Sequence, residues 1–151
     1  MLKYLAITLA VLPLPVVAQD LAVDEAAVQQ CFDGATGIDP DCIGQAADAC
    51  QTATPDGSTT VGISECLMAE TKAWDGILNS QYSATREQYS SDGLPEKLQA
   101  AQRAWIAFRD ADCGFAYDKF GGGSMRGIAS ASCQLNHTAR RALELKQMRE
   151  P

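Results

Sequence analysis

The sequence predicts an all-α fold: a small disulfide-stapled helical bundle with three main helices preceded by two short ones. Three observations lead there. Apolar residues recur at three- and four-residue steps through three long segments. No run alternates apolar and polar residues over six positions as a half-buried strand does, and Val61-Gly62-Ile63 is too short to count. Six cysteines and an export-like N-terminus point to a small core held by covalent staples.

The first 18 residues read as a secretory signal peptide. Lys3 gives a short positive start, Tyr4 to Val17 carry no charge, and Val16-Val17-Ala18 places small residues at a cleavage site after Ala18. The apolar run is short for a membrane span, so no stable membrane anchor is expected after cleavage. No cysteine follows it closely enough for a lipid anchor; Cys31 comes first. About 133 residues then remain, enough for one modest core. We divide the chain into a signal peptide (1–18), an acidic N-terminal extension with short helices (19–49) and a main helical domain (50–151).

The elements follow in order. Asp24 to about Phe32 opens with two acids, which suit the positive end of a helix dipole. Gly34, Gly37 and Asp39-Pro40 end it, and Asp41 is placed to cap a second short helix from Cys42 to about Gln51. Thr52 to Thr60, with Pro55 and Asp56-Gly57, reads as a loop. A long helix runs from Ser64 to about Ser90, its stripe formed by Ala69, Ala73, Trp74, Ile77, Leu78 and Tyr82. After Ser90-Ser91-Asp92-Gly93, Pro95 suits the first turn of a second long helix, on which Leu98, Ala101, Trp105, Phe108 and Asp112 share a face. Gly121-Gly122-Gly123-Ser124 breaks the chain before a last helix from about Ile128 to Met148. The two stripes beginning at Cys66 and Leu98 are expected to pack as antiparallel helices with Trp74 and Trp105 inside. Arg109 is placed to pair with Asp75 across them.

The six cysteines are Cys31, Cys42, Cys50, Cys66, Cys113 and Cys133. On a shared helix, Cys42 and Cys50 would stand about 12 Å apart, beyond disulfide reach. Pairing nearest neighbours across each turn is the simplest of about fifteen connectivities: Cys31 with Cys42, Cys50 with Cys66, Cys113 with Cys133. A metal site is the weaker reading, since no pair has two-residue spacing and His137 is the only imidazole.

Charge is unevenly placed. Asp20 to Thr71 holds ten acids and no Lys or Arg, and Lys72 onward holds nine acids against eleven bases. The formal charge of −7 argues against nucleic acid or anionic membrane as a partner and is compatible with a basic one. Acids that only keep an exported protein soluble are the plainer explanation.

Catalysis finds little support. No G-x-S-x-G surrounds a serine, the thiols are expected to be oxidised, and Asp110 and Asp112 point to different sides of one helix. Carboxylates meeting from separate helices stay open. The triple glycine lacks the Lys-Ser/Thr of a phosphate loop; it is a packing turn or a recognition loop. No cofactor is expected.

One string is more specific than periodicity. AQRAWIAFRDADC, from Ala101 to Cys113, resembles the signature of the LprI-like lysozyme inhibitor family. Within it stand Gln102, Arg103, Trp105, Arg109 and Asp110. Cys66-Leu67, then Trp74-Asp75-Gly76-Ile77-Leu78-Asn79 and Tyr82, precede it in the same order; Gly122-Gly123-Ser124 and the Cys133, Thr138, Arg141, Leu145 pattern follow. The resemblance covers about Cys50 to Met148. It implies an exported helical domain that binds a cell-wall hydrolase, a basic c-type lysozyme above all, with motif residues that mostly build the fold. Two segments are the expected binding loops: Lys119 to Arg126, which includes Gly121, Gly122, Gly123 and Ser124, and Thr52 to Thr60. An envelope scaffold or stress protein without an enzyme partner is the alternative, and a cell-wall-active enzyme a more distant one.

Overall fold

A computed structural model describes residues 21–149; the expected signal peptide lies outside them. The described residues form five helices and no strand: α1 (Glu25–Gly34), α2 (Gln45–Ala53), α3 (Thr60–Gln88), α4 (Leu94–Asp118) and α5 (Met125–Gln147).

Each start has a local cause. Asp24 Oδ1 accepts the amides of Ala26 and Ala27 at 2.9 and 3.3 Å, satisfying donors that have no partner inside α1. Thr59 caps α3 by accepting the Gly62 amide. Gly93, at φ 69°, turns the chain into α4, where Pro95 sits in the first turn. The second short helix corrects the expectation. Asp41 does not cap it; Cys42 to Gly44 form a turn, and the left-handed Gly44 is the N-cap. The cap comes instead from Glu70 on α3, whose two carboxylate oxygens accept the Gly44 and Ala47 amides at 2.8 and 2.7 Å.

α5 is the hub. It carries the longest list of buried side chains, including Leu135, Ala139, Ala142, Leu143 and Leu145. It packs along α3 on one side and α4 on the other, while α3 and α4 touch only weakly. The expected α3–α4 core is therefore corrected: both stripes meet α5. Its hydrophobic face is the strongest of the three long helices, so one helix shields two. α3 and α5 run parallel. Thr60 and Ser64 lie beside Ser124 and Gly127 at one end, and Thr85 Oγ1 donates to the Leu145 carbonyl at 3.3 Å toward the other.

Trp74 is fully buried, edge-on to Phe32 of α1. Trp105 is only partly buried, with Arg109 stacked over its ring at 5.1 Å. Arg109 pairs with its neighbour Asp110 at 2.8 Å, not with Asp75. Since α3 and α4 stand apart, Asp75 is out of the argument and instead accepts from Asn79 one turn on. The buried face of α4 is thin: Gln102 and Cys113 are its two buried residues, and Phe108 is 59% exposed.

The cysteines pair as Cys31–Cys42, Cys50–Cys66 and Cys113–Cys133, the nearest-neighbour scheme. The acidic N-terminal segment is held to α5 by opposite charge. Arg140 forms a fork on Asp39 at 2.9 Å, and Lys146 Nζ donates to the carbonyls of Phe32, Asp33 and Ala35 at the end of α1.

Candidate functional site

The connection between α4 and α5 is a chain of tight turns. The amides of Phe120, Gly121, Gly123 and Arg126 donate to carbonyls three residues back, those of Tyr117, Asp118, Phe120 and Gly123. Gly121 takes φ 55°, a conformation open to glycine at no steric cost. The turn is short and wound, so the triple glycine serves the reversal between packed helices. All residues from Tyr117 to Arg126 are exposed. Cys113–Cys133 ties the two helices below it.

This turn presents two cations on aromatic rings, beside the exposed Asp118. Lys119 Nζ sits 5.2 Å from the Phe120 ring centroid, and the Arg126 guanidinium 4.9 Å from that of Tyr117. Each ring fixes the cation that stands on it. Phe115 (69% exposed), Phe120 and Met125 add apolar surface. Isolated exposed hydrophobics are ordinary, but a cluster at one end of a molecule marks a contact surface.

The start of α3 joins the same end. Thr60, Val61, Ser64 and Glu65 line a groove of about 300 Å³ together with Tyr117, Ser124, Arg126 and Gly127. The two sequence-expected loops thus converge, because α2 delivers the chain to the start of α3 beside the start of α5.

Several of the other motif residues hold the fold. Arg141 is buried; its Nε donates to Gln102 Oε1 at 3.0 Å and its Nη1 to Glu144 at 2.9 Å, joining α4 to α5. Leu78 and Thr138 are buried, Tyr82 partly so beneath Arg86. Asp75, Asn79 and Arg103 are exposed, and no contact across helices accounts for them.

Two polar groupings qualify for chemistry by proximity. Ligand atoms of Cys113, Cys133 and His137 lie within 4.8 Å of one another, but the two sulfurs are bonded to each other and offer no thiolate. His137 Nε2 instead meets Asp112 Oδ2 at 2.8 Å. Asp24 and Glu70 both border a groove of about 420 Å³ between α1 and α2. Both are occupied as helix caps, and Glu70 also accepts from Trp74 Nε1 at 3.1 Å. Sequence reasoning missed Glu70: its signal, one acid in an otherwise apolar stretch ending four residues before a Trp, looks like any helix surface residue.

The family model for lysozyme inhibitor LprI matches residues 50–145. The chain belongs to the LprI family. An uncharacterized protein of Rhizobium meliloti (strain 1021) is 41% identical over 58 residues, covering 38% of this chain and 42% of that protein. The match thus spans less than half the length of the relative. No solved structure matches the chain. The LprI match includes the α3 start, the α4–α5 turn and the Cys50–Cys66 and Cys113–Cys133 disulfides, and leaves α1 and most of α2 outside.

Proposed function

We propose that this protein inhibits a basic c-type lysozyme, or a related cell-wall hydrolase, by seating the Lys119–Arg126 turn against the enzyme's cleft. The observation that carries the reading is the convergence of that turn with the α3 start into one exposed end where Lys119 and Arg126 stand on aromatic rings, in a chain of the LprI family. Glycosidases of this kind work with a pair of carboxylates. A guanidinium or ammonium held on an aromatic ring suits such a cleft, and Arg adds a two-pronged fit to a carboxylate.

The acids from Asp20 to Glu70 have a separate role in this reading. Lysozymes of this type are basic, so an acidic partner is drawn to them at long range. Export follows from the expected signal peptide and is supported by three disulfides, which persist in oxidising compartments. Among the described residues, no helix is long and apolar enough to cross a membrane. The same reading keeps residues 19–49 as an added acidic segment and 50–151 as the inhibitory domain.

Against an enzyme stands the engagement of Asp24 and Glu70 as caps, which occupies both carboxylates that border the α1–α2 groove. The test is lysozyme turnover on cell walls with a molar excess of oxidised protein. Inhibition that weakens as salt rises is expected, since exposed charges are screened over about 8–10 Å. No inhibition and no binding at micromolar concentration overturns the proposal for that lysozyme and leaves the scaffold reading ahead.

A further inference from the structure

The Cys113–Cys133 bridge differs from the other two in what stands beside it. Among the described residues it is the one disulfide with a third metal-ligand atom close by: the two Sγ atoms and a ring nitrogen of His137 all lie within 4.8 Å of one another. Two helices build the arrangement. Cys133 and His137 are four residues apart on α5, so they sit one above the other on one face. α4 brings Asp112 and Cys113 against that face. Asp112 Oδ2 meets His137 Nε2 at 2.8 Å and stands 3.7 Å from Cys133 Sγ. Phe108 of α4 fixes the imidazole further, its ring edge-on at 5.4 Å. Cys113 is buried, whereas Cys133, His137 and Asp112 reach solvent, which leaves an ion a way in.

We infer that, once this disulfide is reduced, Cys113, Cys133 and His137 form a zinc site, with Asp112 as the carboxylate that orients the imidazole. Two equivalents of a small thiol convert the bridge to two thiols and leave joined as their own disulfide. Zn2+ then takes the place of the two thiol protons, which pass to solvent. Thiolate and imidazole together suit zinc over the hard cations that oxygen ligands select. Three protein ligands leave the fourth position to water. Tetrahedral zinc, about 2.3 Å from sulfur and about 2.0 Å from nitrogen, sets its ligand atoms about 3.5–4 Å apart. The imidazole already stands near that distance from the sulfurs, and the sulfurs separate by rotation about their Cα–Cβ bonds. A carboxylate on the other nitrogen of a ligating imidazole is the common arrangement, and Asp112 is in place for it. The ion thus replaces the covalent tie between α4 and α5 at the base of the Lys119–Arg126 turn.

The test uses Zn2+ or Co2+ alone, added to the protein after native reduction and removal of the reductant under nitrogen. The reduced protein should bind zinc and the oxidised protein should not. Bound zinc should shield Cys113 and Cys133 from alkylation, read by mass spectrometry, and leave the other four cysteines reactive. Co2+ should give a thiolate-to-metal absorption band. His137→Ala should weaken zinc binding at least about tenfold, and Asp112→Asn about tenfold with the cobalt band kept, as expected of a group that acts through the ring. Both variants keep all six cysteines, so the circular dichroism of their oxidised forms controls for folding. No binding by the reduced protein overturns the inference, as does equal binding by the oxidised one. Shielding of the other cysteines in place of this pair overturns it too, and so does indifference to His137→Ala or Asp112→Asn. Helical signal lost on reduction and not restored by zinc is equally decisive against it.

Discussion

Trp74 donates its indole N–H to the Glu70 carboxylate at 3.1 Å, one turn back on α3. The same carboxylate caps α2, so a single side chain, 1% exposed, satisfies three N–H donors from two elements. It joins the short acidic helices to the main bundle at the point where Phe32 meets Trp74.

Replacing Glu70 with Ala strands those donors in the core, and a buried donor left unmet costs about 1–3 kcal/mol. The variant should lose about 3 kcal/mol or more, while Trp74→Phe, which removes one donor and keeps the ring in place, should lose about 1–2 kcal/mol. Urea midpoints at constant slope measure both. An equal loss in the two variants would contradict the shared-acceptor account.

Gly62→Ala should reverse the usual sign. In a helix this exchange generally gains up to about 1 kcal/mol. Here a Cβ would overlap the Asp56 carbonyl oxygen and crowd Gly57 Cα at 2.8 Å, both of them backbone. A loss of about 1–3 kcal/mol is expected, as for overpacking elsewhere. A raised melting temperature would show that the α2–α3 connection gives way freely.

The disulfides should open in order of access. Cys50 and Cys66 are both buried, whereas Cys31 and Cys42 are both partly exposed. Limited reduction followed by alkylation and mass spectrometry should label Cys31 and Cys42 before Cys50 and Cys66. Removing the Cys113–Cys133 pair, which closes a loop of 20 residues, should cost about 3 kcal/mol.

Charge changes at the two regions should act on different rate constants. Lys119→Glu with Arg126→Glu should weaken lysozyme inhibition at least about tenfold, mainly through faster dissociation. Neutralising Asp33, Asp41 and Asp48, all exposed, should slow association and flatten its salt dependence. Surface plasmon resonance separates the two. Identical effects on both rates from both sets would remove the division of labour.

Much of the helical skeleton was legible because its signals are local. The Asp24 cap, Pro95 in the first turn of α4 and the glycine break before α5 depend on neighbours within a few residues, and so does the pairing of each cysteine across its own turn. Errors came where distant chemistry decides. α2 starts at Gly44 because Glu70 supplies its cap from 26 residues away, and Asp41 was the obvious local substitute. The partner of each long helix also hid: an apolar stripe shows that a helix has a buried side without naming what covers it, and both stripes turned out to face α5. Arg109 shows the same limit, since Asp110 beside it was nearer than any cross-helix acid. The expected loops were visible as glycine and proline clusters; their meeting at one end follows from the parallel run of α3 and α5.

That parallel run has an electrical consequence. Two long helices begin at the end that bears Lys119 and Arg126, and one ends there. Each long helix contributes roughly half an elementary charge, positive at its start and negative at its finish; two of the three long helices present their starts here, while the short α2 ends beside them. The overall charge of −7 is an average over a molecule with unlike ends. Far away, a partner senses the acid; in contact with this pole, it meets two cations on their rings as well as Asp118 and Glu65.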